Sequence, residues 1–107
     1  MSLPEWISGN IFIRPNPGKA GDVIGGHTHN FDHTTIVFRG AVKVEATTPD
    51  GRVRVQEFRA PAHFLVKAEV KHEITFLEDG EFWCVYSHRD PQARISEVYE
   101  GWMEGYQ

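Results

Sequence analysis

What the 107 residues lack narrows the reading first. There is one cysteine, Cys84, so no internal disulfide can form. It lies in the apolar run FWCVY, where a buried, inert thiol is expected over a nucleophile. No apolar run approaches the roughly 18 residues that cross a bilayer. The first residues, MSLPEW, lack the basic-then-apolar layout of a secretory signal. No block of like charge occurs, and the formal net charge is −4, the opposite of the basic stripe that a nucleic-acid or anionic-membrane binder carries. No internal repeat or low-complexity linker interrupts the chain. These absences lead us to expect a cytoplasmic protein without nucleic-acid or membrane partners. An apolar share of 40% is too high for a disordered chain, and the length suits one domain, 1–107, with a single modest core.

What is present is mostly strand character broken by turn residues. Trp6–Arg14 alternates loosely. Pro15 to Asp22 (PNPGKAGD) reads as a loop by its Pro, Gly and Asn content. Ala41–Thr47 and Arg52–Phe58 alternate on either side of Pro49-Asp50-Gly51, where Pro presets φ and Gly accepts a positive one, so the pair reads as a hairpin. His63–Lys67 holds the short run FLV. Lys71–Leu77 puts His72, Ile74 and Phe76 on one face. Phe82–His88 follows a Glu78–Glu81 turn as a strongly apolar strand. Short strands at this spacing indicate an antiparallel sandwich or barrel. The tail differs: Asp90-Pro91 suits a helix start, and Ile95, Val98, Tyr99, Trp102 and Tyr106 recur at helical spacing, so a short C-terminal helix is expected.

The stretch from Gly21 to Gly40, GDVIGGHTHNFDHTTIVFRG, carries the chemistry. Residues two apart on a strand share a face, so His27 and His29 would point the same way, and His33 would join them if the strand resumes after a bulge or turn at Asn30–Asp32. Converging imidazoles suit a borderline divalent metal. An HTH tripeptide alone is equally at home on a surface, but the β-branched TTIVF that follows places these histidines in a strand rather than a tail. His72 is a fourth candidate.

These residues resemble the first motif of the cupin superfamily, in which Gly, five residues, His-x-His, three residues, Glu, six residues and Gly follow one another. Here Gly21, His27-Thr28-His29, His33 and Gly40 keep every spacing, with His33 where the family has Glu. His72 occupies the histidine position of the second motif, whose Pro and Gly are replaced by Lys67 and Glu69, and Phe76 stands where Asn is common. The resemblance covers roughly residues 20 to 88. It implies an all-β fold, a double-stranded β-helix or jelly roll, and a divalent transition metal (Fe, Ni, Zn, Mn or Cu) held by His27, His29 and His72. Histidine in place of Glu still offers a lone pair, so a four-histidine site including His33 is favoured over a three-histidine one. The resemblance also implies a homodimer.

Four neutral imidazoles would leave the metal's +2 charge uncompensated, favouring a bound anion or an acidified water. A tetrahedral ion would be closed and structural, whereas an octahedral one would keep two positions open. On the last strand either Phe82, Cys84, Tyr86 and His88 or Trp83, Val85 and Ser87 face inward. The first set would add Tyr86 and His88 as candidate catalytic groups in a ligand pocket. His63 is expected at the surface, and parity turns Asp32 and Glu73 away from the metal. The expected activity is a metal-dependent, dioxygenase-like oxidoreductase on a small organic molecule. The alternatives are a metal-dependent lyase or isomerase, and a non-enzymatic binding barrel.

Overall fold

Strand signals in the sequence become nine strands among the described residues. The computed structural model describes residues 6–8, 11–28 and 31–87, with backbone alone for residues 6–8, 26 and 27. In chain order the strands are β1 (Trp6–Ser8), β2 (Ile11–Gly18), β3 (Val23–His27), β4 (His33–Arg39), β5 (Ala41–Thr47), β6 (Val53–Arg59), β7 (Ala62–Val66), β8 (Lys71–Phe76) and β9 (Gly80–Ser87). They form two antiparallel sheets. The five-stranded sheet has the order β1-β2-β9-β4-β7, and the four-stranded sheet has β3-β8-β5-β6. Consecutive strands change sheets repeatedly, which is the jelly-roll way of closing an all-β core. The expected C-terminal helix and His88 lie outside the described residues.

The core lies between the sheets, where the inward halves of the alternating patterns meet. Val42, Val44, Ile74 and Phe76 come from the four-stranded sheet, and Val37 and Phe82 from the five-stranded one. Phe76 and Phe82 pack ring to ring at 5.3 Å across the interior. Phe58 of β6 stacks on Phe64 of β7 at 4.5 Å, closing one side. On β9, Phe82 is fully buried, whereas Trp83 faces outward, packs on the exposed Phe38 and donates its indole N–H to Glu81. The Phe82, Cys84 and Tyr86 face is therefore the inner one.

The β5–β6 hairpin forms in register from Ala41↔Arg59 to Thr47↔Val53, with Gly51 at φ 88° in its turn. The Thr48 hydroxyl and the Arg52 side chain beside Asp50 hold its carboxyl below the usual range. Gly40 ends β4 at φ 77°, and a Cβ there would sit 2.5 Å from the Asp79 carbonyl oxygen, so the closing turn demands glycine.

The sequence reading needs two corrections here. Pro15–Gly18 is not loop: β2 runs through it and pairs with β9 as far as Gly18↔Gly80, leaving the turn to Lys19–Asp22. Pro15 and Pro17 are two residues apart, so both missing N–H groups fall on the same strand edge and the ladder to β9 is spared. His27 and His33 also do not share one strand. β3 ends at His27 in the four-stranded sheet and β4 begins at His33 in the five-stranded one, so the chain crosses between sheets where a bulge or turn within one strand is expected.

Candidate metal centre at the barrel mouth

Two histidines meet across the interior at one end of the barrel. His72 lies on β8 between exposed Lys71 and Glu73, on the same inward face as Ile74 and Phe76, and is 5% exposed. His33 opens β4 on the inward face that continues through Thr35 and Val37, and is 3% exposed. Their ring centroids are 5.2 Å apart. The Nδ1 of His72 lies 3.3 Å from the Val70 carbonyl. A carbonyl only accepts, so this contact keeps the proton on Nδ1 and leaves Nε2 with its lone pair.

β3 brings a third histidine position to the same rung. Ile24 pairs with Ile74, but His27 pairs with His72, so three residues on β3 span two on β8. This bulge falls on Gly25-Gly26, residues that accommodate one readily. It also inverts parity: Ile24 packs against the core, and the extra residue returns position 27, three residues later, to the rung of buried His72. His29 lies outside the described residues. Among the described residues no group of three or more His, Cys, Asp or Glu side chains gathers as a metal-holding cluster.

The pair present is nonetheless spaced for one ion. With a metal–nitrogen bond of about 2.1 Å and a ring centroid about 1.1 Å behind the nitrogen, two imidazoles sharing a metal have centroids about 4.5 Å apart at a right angle and about 5.2 Å apart at the tetrahedral angle. The His33–His72 separation falls at the upper end of that range. The separation is therefore one that two ligands of a single ion can adopt.

The surroundings are aromatic. Tyr86 on β9 lies 6.2 Å from His33, ring to ring, and is itself sandwiched by Phe12 at 4.9 Å and Phe31 at 4.7 Å. Phe12 and Phe31 escaped sequence reasoning. Nothing in the sequence signals Phe12, whose place beside Tyr86 follows from the β2–β9 register, and Phe31 sits in the crossover expected to be a bulge or turn. Asp32 turns away, as parity suggests: it accepts the Ala68 N–H at 2.7 Å and lies 4.0 Å from the Lys67 ammonium, anchoring the turn before β8. Glu73 is exposed on the outer face, and His63 is exposed on β7 opposite Ile36. One rung inward from His33, Thr35 is fully buried with its hydroxyl 3.9 Å from the Cys84 thiol. Burial pushes that thiol up from its ordinary value, the Thr35 contact opposing, so Cys84 is a poor nucleophile.

Solved structures share this architecture. The oxalate decarboxylase of Lactobacillus farciminis, in a formate complex, superposes with a TM-score of 0.68 at 24% identity, covering 76% of this chain and 24% of its own. The fold is that of a cupin. The S161A mutant of the Bacillus subtilis oxalate decarboxylase gives 0.69 at 22% identity, over 76% of this chain and 22% of that one. A deletion mutant of the same enzyme gives 0.69 at 19% identity, over 88% and 23%. The chain thus spans about a quarter of the length of the enzymes it matches. No family model and no curated protein matches it. Cupin barrels carry many chemistries, so activity has to be argued from the site.

Proposed function

We propose that this cupin binds one divalent transition metal through His72 and His33, completed by His27 and His29, and acts on a small organic molecule at that centre. The observation that carries the reading is the buried His33–His72 pair at 5.2 Å, one ring from each sheet. Nitrogen donors suit Fe(II), Ni, Zn or Cu better than Mg or Ca. When bound, the metal would supply Lewis-acid or redox chemistry at a position open to substrate. The chain's own contribution is positional. Val70 orients the His72 ring, and Phe12, Phe31 and Tyr86 make an aromatic wall beside the pair that limits water. The resemblance to the cupin family supports a dioxygenase-like oxidoreductase as the first reading of that chemistry. The lyase reading is kept by one observation, that the structural neighbours named above are decarboxylases.

The test is elemental analysis of untagged protein beside His72→Ala and His33→Ala, with oxygen uptake measured on candidate thiols, diketones and phenols. About one metal per chain, lost in His72→Ala and lost or weakened in His33→Ala, is expected. Metal-free protein that cannot be reconstituted would overturn the metal centre. Turnover without oxygen uptake would shift the assignment to a lyase.

A further inference from the structure

Three of the five arginines among the described residues pair with carboxylates. Arg39 pairs with Glu81 at 3.3 Å, Arg52 with Asp50 at 3.0 Å, and Arg59 with Glu78. Arg54 has no carboxylate partner among the described residues, and its position is unusual. On β6 it shares a face with Phe58, and Phe58 packs inward on Phe64 of β7. The ladder pairs Arg54 with Ala46 and Ala46 with His72. Residues directly opposed across an antiparallel ladder share a face. His72, Ala46 and Arg54 thus form one rung on the inner side of the four-stranded sheet, with Arg54 on its edge strand. Two strand spacings put the Arg54 Cα about 10 Å from that of His72, within reach of a side chain that can span much of that distance. The residue between them on that rung is alanine. Arg54 lines an open groove of about 450 Å³ with Ala46, Thr48, Arg52 and Val53.

We propose that Arg54 recognises the carboxylate of a small organic acid whose other end lies at the histidine centre. A guanidinium binds a carboxylate through two parallel N–H donors, and its fixed charge at an open mouth would select anions from neutral molecules before they reach the aromatic wall. This inference rests on the metal-centre reading for what lies at the inner end, but its own claim concerns Arg54 and the anion.

The experiment is calorimetric titration of malonate, at constant ionic strength, into wild type, Arg54→Gln and Arg54→Lys, with metal content measured on each sample. Arg54 is exposed, so both variants should fold, and a thermal melt checks this. The expected result is malonate binding by wild type, weakened about tenfold or more in Arg54→Gln and less in Arg54→Lys, with metal content unchanged in all three. Equal malonate affinity in wild type and Arg54→Gln, or no malonate binding by wild type, overturns the proposal. A metal-free wild type would defeat the metal-centre reading separately, and the same comparison of affinities, made on metal-free protein, would still decide Arg54.

Discussion

Glu69 sits at φ 65°, in the left-handed region that a side chain with a Cβ enters at a cost of about 1 kcal/mol or more. It occupies the place where the cupin motif has glycine, in the turn that leads into His72, and Asp32 pins that turn through the Ala68 N–H. Glu69→Gly should therefore stabilise the protein by about 1 kcal/mol in a denaturant titration, less what glycine adds to unfolded-chain entropy. A loss of stability would mean that the Glu69 side chain has a role the backbone does not reveal. Cys84 supports a second residue-scale prediction. Its folded thiol titrates above the ordinary value of 9.0 because it is buried, so the native state keeps a proton that the unfolded chain has released. Stability should be unaffected by this group below about pH 9 and fall as pH rises past it. Cys84→Ala should flatten that fall, as read from melts between pH 7 and 10.5. An identical decline in both proteins would show the thiol to be accessible.

At the scale of elements, alternation decides which substitutions matter. Phe82 and Trp83 are neighbours on β9, yet one fills the core and the other lies on the outer face. Phe82→Ala should cost about 3 to 5 kcal/mol, and Trp83→Ala distinctly less despite removing the larger side chain. Comparable losses would mean a one-residue slip in the β9 register. The same period-2 logic explains what could be read without coordinates. The β5–β6 hairpin, the inward set His72, Ile74 and Phe76, and the cupin spacing around Gly21 and Gly40 were legible because side-chain pattern and turn chemistry agree there. Reading failed where backbone geometry departs from the pattern. Proline content hid the second half of β2, since composition does not say which strand edge the missing donors face. The Gly25-Gly26 bulge breaks parity between Ile24 and His27, and the crossing between sheets before His33 cannot be distinguished from a bulge by sequence. The pairing of His33 with His72 was thus inferred from the motif and not from periodicity.

For the molecule as a whole, the two histidines matter because they belong to different sheets. The core holds the sheets together by non-directional contact, whereas a metal shared by His33 and His72 would tie β4 to β8 at the mouth, where Asp32 anchors the exposed turn that holds Lys67 and Glu69. A ligand that binds only the folded chain stabilises it by about 2.7 kcal/mol at a hundred times its Kd. In a domain of this length each kcal/mol moves Tm by about 4 to 8 °C. Saturating Ni(II), Zn(II) or Fe(II) should therefore raise Tm by roughly 10 °C or more, reversibly with chelator. His72→Ala should abolish the rise, and Arg54→Gln should keep it, because Arg54 is placed toward the anion and not the ion. A rise that survives His72→Ala would locate the metal elsewhere in the chain. A rise lost in His72→Ala but retained in full by His33→Ala would mean that the ion is held by the four-stranded sheet and its flank alone. The link between sheets would then be absent, and His33 would be a wall of the pocket.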